Sequence, residues 1–254
     1  MENNYKEQAL EARRTVLRMI HHAQTSHIAS NFSVIDIATV LYANLKEGDE
    51  VVWSKGWVSA TIYYFLAKQG KIPMEDLDKF QNSEYLGLAE TNVPGVLVNG
   101  GSVGHGLSVA VGIALGKKRA GVTGTVYCIM SDGELNEGAV WEAAMVAAHH
   151  KLDNLVALID NNGWQAMGRT EEIIDIDIER AFGGFGWGAM LSDGHNYKDI
   201  ESNLEWSLIK RNRPSVIVCD TIKGKGVACF EDKILYHYKN IDDETYERAK
   251  AELV

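Results

Sequence analysis

The sequence is poor in cysteine, proline and long apolar segments, and it has no excess of basic residues. No run approaches the roughly 18 consecutive apolar residues of a transmembrane helix, so we expect no membrane-spanning segment. Lys and Arg number 25 against 35 Asp and Glu in 254 residues, which gives a net charge of −10. A nucleic-acid-binding protein needs a basic face to contact phosphates. The composition therefore indicates a globular protein with no nucleic-acid partner.

The three cysteines give no sign of a structural framework. Cys128, Cys219 and Cys229 show neither CxxC nor metal-type spacing. Residues 1–5 contain no basic stretch that leads into an apolar one, so they do not resemble a secretory signal. An odd cysteine count without a signal fits a reducing compartment. We therefore expect a cytoplasmic protein.

The hydrophobic pattern predicts strands that alternate with helices. Near-continuous apolar runs at 125–130, 155–159 and 215–220 are typical of strands buried on both faces, and weaker strands are predicted at 51–53 and 187–191. Helices are predicted at 5–22, from Ser33 as the N-cap onward, and at 59–69, 74–81, 107–118, 137–151 and 197–210. This alternation predicts an α/β fold, a parallel sheet with helices on both faces. Without a linker or repeat, residues 1–254 are expected to form one domain.

Two polar loops directly follow two of the buried strands. The first is Ser131-Asp132-Gly133-Glu134 and the second Asp160-Asn161-Asn162-Gly163-Trp164. One helix and one strand separate them, so both should lie at the same edge of the sheet. Asp132 and Asn162 offer the oxygen ligands that Mg²⁺ prefers, and Gly133 leaves room for a phosphate at backbone N–H groups. Either loop alone is explained by turn chemistry, but the pair favours a metal and phosphate site.

These loops and three further segments resemble transketolases. The further segments are Gly-Ser-Val-Gly-His-Gly-Leu-Ser at 101–108, Ser-Asp-Gly-His at 192–195 and Thr-Ile-Lys-Gly-Lys-Gly-Val at 221–227. The resemblance covers nearly the whole chain. It is to the N-terminal, diphosphate-binding half of transketolase, specifically the short subunit of a split two-gene form. It implies the thiamine diphosphate-binding fold, with thiamine diphosphate and Mg²⁺ (or Ca²⁺) as cofactors.

The resemblance also implies roles for individual residues around the cofactor. Asp132, Asn162 and the backbone carbonyl of Trp164 would be the metal ligands. Gly133 would donate its N–H to the diphosphate. Asp132 and Asn162 thereby also count as cofactor-binding residues. In the segment at 101–108, Gly101 and Val103 would contact the diphosphate and the aminopyrimidine.

Two histidines gain a catalytic role only through the resemblance. His195 matches a histidine close to the diphosphate and the reacting thiazolium, so it would be both catalytic and cofactor-binding. His27 matches a catalytic histidine that faces the substrate channel. Without the resemblance, His195 is best interpreted as a turn residue and His27 as a residue that flanks a helix. The Gly224-Lys225-Gly226 turn matches a flexible loop near the cofactor.

Three positions depart from the family pattern. Trp57 replaces a histidine near the thiazolium, Leu88 stands where a histidine contacts the donor's hydroxyls, and Ser131 replaces a glycine. Loss of hydrogen-bonding partners for hydroxyls strongly changes substrate discrimination. Trp57 and Leu88 would make the donor pocket more apolar. This suggests a donor with one hydroxyl fewer, such as a 1-deoxy ketose or a 2-oxo acid.

The resemblance implies a transferase that moves a two-carbon unit from a ketose or ketose phosphate donor to an aldose or aldehyde acceptor. Alternatives remain open. One is an acyl-transferring variant that uses a 2-oxo acid or 1-deoxy ketose. Another is the α subunit of a 2-oxo acid dehydrogenase or decarboxylase, which shares the metal motif. A third is a subunit that has lost catalysis. A dinucleotide-binding domain is disfavoured, since residues 101–106 lack an early strand and a following acidic residue.

The resemblance also implies a partner. In this family a glutamate on a separate pyrimidine-binding domain activates the cofactor, and the present sequence matches only the diphosphate-binding domain. We therefore expect a C-terminal transketolase-like subunit that carries the pyrimidine domain. We also expect active sites at the interface and a heterotetramer with two of each chain. The isolated chain is expected to be inactive.

Overall fold

The computed structural model describes residues 4–82, 84–209 and 212–254. In this part of the chain five strands form one sheet, in the order β1-β2-β3-β5-β4, and every neighbouring pair is parallel. The strands are β1 Glu50–Trp53, β2 Val126–Ser131, β3 Leu155–Asn161, β4 Gly188–Asp193 and β5 Ser215–Asp220. The predicted α/β class with a parallel sheet is confirmed.

Helices connect the strands and also follow the last of them. The longer ones are α1 Tyr5–Ala23, α2 Ile28–Asn44, α3 Ser59–Lys68, α4 Gly106–Ala120, α5 Gly138–His149, α8 Tyr197–Ser207 and α10 Asp243–Glu252. The shorter ones are α6 Thr170–Ile173, α7 Ile178–Gly184 and α9 Leu235–Tyr238. None of the helices in the described residues is both long and apolar enough to cross a membrane.

The core consists of two layers, one on each face of the sheet. Successive side chains of a strand point to opposite faces. Val52 and Cys128 therefore pack in one cluster with α4 and α5, while Trp53 and Ile129 pack in the other with α1, α2 and α3. The prediction of helices on both faces is confirmed.

The predicted start of the second helix is wrong. Helix α2 begins at Ile28, and Ser33 lies inside it, where its hydroxyl donates to Asp160 Oδ2 at 2.6 Å. Residues 28–41 are all buried, so α2 has no polar face along most of its length to reveal its true extent. His27 takes the N-cap position in the left-handed region, with φ of 71°.

The other element predictions differ from the structure mainly at their ends. The helix predicted at 74–81 is a 3₁₀-helix, Met74–Lys79. The helix predicted at 197–210 ends at Ser207, and the predicted end, Lys210, lies outside the described residues. Helix α10 was not predicted, because its sequence is mostly polar and the helix buries only Thr245 and Ala249.

Because every strand runs in the same direction, all five carboxyl ends lie at one edge of the sheet. The loops that follow β1, β2, β3, β4 and β5 begin there, at residues 54, 132, 162, 194 and 221. Ligands of open parallel α/β sheets bind at this edge.

Candidate cofactor-binding site

A cavity of about 370 Å³ opens at the carboxyl edge of the sheet, a volume within the range of cofactor pockets. The loops after β1, β2, β3 and β5 line it together with the start of α2, the segment before α4 and helix α9. The lining residues are His27, Ser30, Lys55, Trp57, Leu88, Gly101, Val103, Ser131, Gly133, Glu134, Asn136, Glu137, Asn162, Trp164, Gln165, Ala166, Lys223 and His237.

The cavity brings together most of the residues predicted from the sequence. His27, Gly101, Val103, Gly133, Asn162 and Trp164 all line it. Asp132 does not line this cavity: it lies between two of the lining residues, Ser131 and Gly133, and lines a neighbouring cavity together with Gly163. His195 also lies outside the cavity, as described below.

Asp132 ties the loop after β2 to the loop after β3. The side chain is buried, and its carboxylate accepts hydrogen bonds from Gly133 N at 2.9 Å and Gly163 N at 2.8 Å. Burial and then the nearby charge of Asp160 raise the pKa of Asp132 to about 7. In the described part of the chain no basic side chain forms an ion pair with it. A divalent cation would supply the missing positive charge, so the site fits a metal ion.

Asn162 and Trp164 are fixed by hydrogen bonds on both sides of their loop. Asn162 Nδ2 donates to Asp160 Oδ2 at 3.3 Å, and Asn162 Oδ1 accepts from Trp164 N at 3.1 Å. The Trp164 indole donates to Asp232 at 2.7 Å and packs against the Arg169 guanidinium, 4.0 Å from the ring centre. The loop is therefore held in one position.

The predicted metal ligands form a charge-poor set. They are one carboxylate, one amide oxygen and one backbone carbonyl. Within residues 4–82, 84–209 and 212–254, no group of three or more His, Cys, Asp and Glu could hold a metal. A cation bound through few protein charges suits a site where phosphate oxygens complete its coordination, as is usual for Mg²⁺.

A buried ion pair lies beneath these loops and was missed in the sequence. Lys55 and Asp160 are both fully buried, and Lys55 Nζ contacts Asp160 Oδ2. Burial alone would raise the pKa of Asp160, but the charge of Lys55 and the hydrogen bonds from Lys55, Ser33 and Thr221 together outweigh it, and the pKa is lowered. Asp160 also accepts hydrogen bonds from Ser33 and Thr221. This network joins the ends of β1, β3 and β5 to α2.

Lys223 is a second buried cation that the sequence did not single out. Its side chain is 1% exposed, lines the cavity and donates to Ser30 Oγ at 3.2 Å. Burial and then the charge of Lys55 lower its pKa to about 8, so Lys223 is mostly cationic at pH 7. The lysine of the Gly224-Lys225-Gly226 turn does not line the cavity. Lys225 pairs instead with Glu231, at 3.9 Å. Lys223 gives the cavity a charge that suits a diphosphate.

His27 and His237 form a pair in the wall of the cavity. Their ring centres lie 4.9 Å apart, and His27 N donates to the His237 carbonyl at 3.2 Å. Burial and then Lys223 lower the pKa of His27 to about 4 and that of His237 to about 3. Both rings are therefore neutral at pH 7 and able to donate to or accept from a hydroxyl. His237 Nδ1 is buried and finds no hydrogen-bond partner among the residues that the structure describes. Nothing in the polar sequence around α9 singled it out.

His195 does not line the cavity. Its Nδ1 lies 2.7 Å from Asp36 Oδ2, and its Nε2 accepts from Ile222 N at 2.8 Å. Both ring nitrogens are thus engaged by this chain. The catalytic and cofactor-binding roles implied by the resemblance stay predictions.

The cavity lining also includes apolar side chains. They are Trp57, Leu88 and Val103, and Leu88 is 43% exposed. Gly101 has φ of +109°, and an added Cβ would lie 3.2 Å from Leu88 Cδ1. A glycine at this position therefore allows the loop to pass Leu88.

The fold and the cavity define a parallel α/β domain whose carboxyl edge suits an anion and a divalent cation. Residues 5–253 match the family model for "Transketolase, thiamine diphosphate binding domain". The chain belongs to the transketolase family.

Two curated relatives of about the length of this chain are named as transketolase subunits. It is 34% identical over 260 residues to the 6-deoxy-6-sulfo-D-fructose transketolase subunit of a Clostridium species (strain MSTE9), and the match covers 97% of this chain and 94% of the relative. It is 33% identical over 259 residues to an apulose-4-phosphate transketolase subunit of Phocaeicola vulgatus, and that match covers 97% and 92%.

Solved transketolases share the fold. The Campylobacter jejuni transketolase superposes with a TM-score of 0.93 and 27% identity over the whole of this chain and 43% of its own. The chain therefore spans less than half the length of that transketolase. The match confirms the fold that the resemblance predicted.

Proposed function

We propose that this chain is the diphosphate-binding subunit of a thiamine diphosphate- and Mg²⁺-dependent transketolase-type transferase. The enzyme moves a two-carbon unit from a ketose or ketose phosphate to an aldose or aldehyde. The observation that carries the proposal is the cavity itself, which unites Asn162, Trp164 and Gly133 with buried Lys223 and the pair His27 and His237.

One set of residues would bind the cofactor and another would bind the substrate. Asp132, Asn162 and the Trp164 carbonyl would hold the metal ion, and Gly133 N–H and Lys223 would hold the diphosphate. Thiamine diphosphate, when bound, supplies the carbanion chemistry for breaking and forming the carbon–carbon bond. Neutral His27 and His237 would orient the substrate's hydroxyls and exchange protons with them. Gly101 and Val103 would contact the cofactor from the loop before α4.

A partner chain is part of the proposal. Relatives of about this length from Clostridium and Phocaeicola vulgatus are named as subunits, whereas the Campylobacter jejuni transketolase is more than twice as long. The pyrimidine-binding domain would be supplied by a second chain, in a heterotetramer with two copies of each. Glu137, an exposed residue that lines the cavity, would contact such a chain. A cytoplasmic location stays a prediction.

The experiment that tests cofactor binding uses the chain purified together with its partner subunit. Thiamine diphosphate should bind in Mg²⁺ and be lost in a chelator, as measured by calorimetry. Asp132→Asn removes the anionic metal ligand and should weaken this binding by more than about 100-fold. The matched control is Asp175→Asn, at an exposed position, which should bind as the wild type does. Wild-type protein that fails to bind thiamine diphosphate would refute the proposal.

A second candidate function differs only in the donor. The apolar lining residues Trp57 and Leu88 favour a donor with fewer hydroxyls, such as a 1-deoxy ketose or pyruvate. The complex would be assayed with xylulose 5-phosphate and with pyruvate and the same aldehyde acceptor. Efficient transfer from xylulose 5-phosphate alone would rule out the second candidate. Transfer from pyruvate alone would support it.

A further inference from the structure

A buried charged cluster lies behind the cavity, between α1, α2 and the loop after β4. Its centre is Asp36 of α2, which is 3% exposed. The two terminal nitrogens of Arg13 reach its two oxygens at 2.8 and 2.7 Å. His195 Nδ1 lies 2.7 Å away, and the hydroxyl of Tyr197 donates at 3.1 Å. Three side chains thus direct four donor atoms at one carboxylate.

The hydrogen bonds of the cluster fix the tautomer of His195. Burial alone would raise the pKa of Asp36, but the charge of Arg13 and the hydrogen bonds from His195 and Arg13 together outweigh burial, and the pKa is lowered to about 2. An ionised carboxylate only accepts hydrogen bonds, so His195 Nδ1 must carry a hydrogen. The backbone N–H of Ile222 only donates, so His195 Nε2 must present its lone pair. His195 therefore holds its ring hydrogen on Nδ1.

The same cluster holds the segment 221–226 at a second point. Arg13 Nε donates to the Lys225 carbonyl at 2.9 Å. Gly226 has φ of +101°, and an added Cβ would lie 3.0 Å from Arg13 Cδ and Nε, so the close approach requires glycine. His195 therefore holds the segment at Ile222 and Arg13 holds it at Lys225. Lys223, whose side chain lines the cavity, lies between these two points.

We propose that His195 is a positioning residue that connects Asp36 to the Ile222 amide and thereby keeps Lys223 in place to bind the cofactor's diphosphate. This inference rests on the proposed function only for the identity of the diphosphate. It gives His195 a role that needs no contact with the cofactor. The two hydrogen bonds of its ring, one at each nitrogen, carry the whole effect.

Two amide substitutions separate the two hydrogen bonds of the ring. In His195→Gln, the longer side chain places an amide oxygen near the position of Nε2, where it accepts from Ile222 N. In His195→Asn, the shorter side chain places an amide nitrogen near the position of Nδ1 and leaves Ile222 without an acceptor. His22→Asn, at an exposed position in α1, is the matched control.

The first measurement is hydrogen exchange of the Ile222 amide in the full chain. Loss of its acceptor in His195→Asn should speed exchange by at least about tenfold, while His195→Gln and His22→Asn stay within about threefold of the wild type. Thermal unfolding of each variant confirms that it is folded. This readout requires neither cofactor nor activity. Equal exchange in the Asn and Gln variants overturns the proposal.

The second measurement uses the complex with its partner subunit. The dissociation constant of thiamine diphosphate, in Mg²⁺, should rise by about tenfold or more in His195→Asn and much less in His195→Gln. At saturating cofactor, kcat should be retained in both. A large loss of kcat in both variants would instead mean that His195 acts on the reacting atoms, and it overturns the proposal. Wild-type protein that binds no thiamine diphosphate refutes the proposed function, while the exchange result still decides the role of His195.

Discussion

Lys223 and Lys225 lie two residues apart but in different surroundings. Lys223 is 1% exposed in the wall of the cavity, whereas Lys225 is paired with Glu231 and does not line it. We expect Lys223→Met to weaken thiamine diphosphate binding to the complex by about 10- to 100-fold, because a buried charge-assisted contact is lost. Lys225→Met is the matched control. Equal effects in the two variants, measured by calorimetry, would contradict the assignment.

Because of Asp36, we expect the free energy of unfolding to fall as the pH is lowered into the acid range. Its folded pKa of about 2 lies below the ordinary 3.8, so its contribution is complete above pH 4 and is lost as the pH falls towards 2. The shift corresponds to about 2 kcal/mol. Urea unfolding between pH 2 and pH 5 checks this against the double variant Arg13→Met/Asp36→Leu. The wild type should lose about 2 kcal/mol more over this interval, and parallel pH profiles would disprove it.

Candidate site residues could be predicted from the sequence where they directly follow a predicted strand. Asp132 and Asn162 directly follow β2 and β3, so one crossover sufficed to place them together. Lys223 and His237 could not be found in this way. The backbone around Lys223 is held by residues distant in sequence: Ala29 accepts from Gly224 N, and Arg13 and His195 bind Lys225 and Ile222. His237 reaches the cavity through its packing against His27.

Helix α2 shows why element boundaries were harder to predict than the elements themselves. Its sequence is apolar on nearly all sides, and the hydrophobic pattern marks a helix start only where a polar face exists. Ser33 had the side chain of an N-cap but uses it on Asp160, 127 residues away. The strands were predicted closely because continuous apolar runs identify a sheet buried on both faces.

The backbone conformation of the turn after β5 requires glycine at position 224. Gly224 has φ of +84°, and an added Cβ would lie 2.3 Å from the Phe230 carbonyl oxygen. Gly70 has φ of +71° with no atom within 4 Å of such a Cβ. We expect Gly70→Ala to cost about 1 kcal/mol and Gly224→Ala at least about 2 kcal/mol more, because only the second adds a collision with backbone. Urea unfolding measures both, and equal losses would show that the turn adapts.

At the scale of the whole molecule, the α/β class and the family could both be predicted from the sequence. The parallel sheet places five loops at one edge, and four of them contribute to the cavity. Under the proposed function, the residues of this cavity would hold a metal ion, a diphosphate and substrate hydroxyls. The identity of the donor could not be predicted, because it would depend on Trp57 and Leu88 together with side chains of the proposed partner.

The most direct test of the proposed function is reconstitution from separately purified subunits. The full chain is mixed with its partner subunit, thiamine diphosphate and Mg²⁺, and two-carbon or acyl transfer to an aldehyde is followed at increasing partner concentration. We predict no transfer by either chain on its own and activity that saturates at one partner per chain. Full activity of this chain without the partner, or none at any ratio despite bound cofactor, would contradict the account.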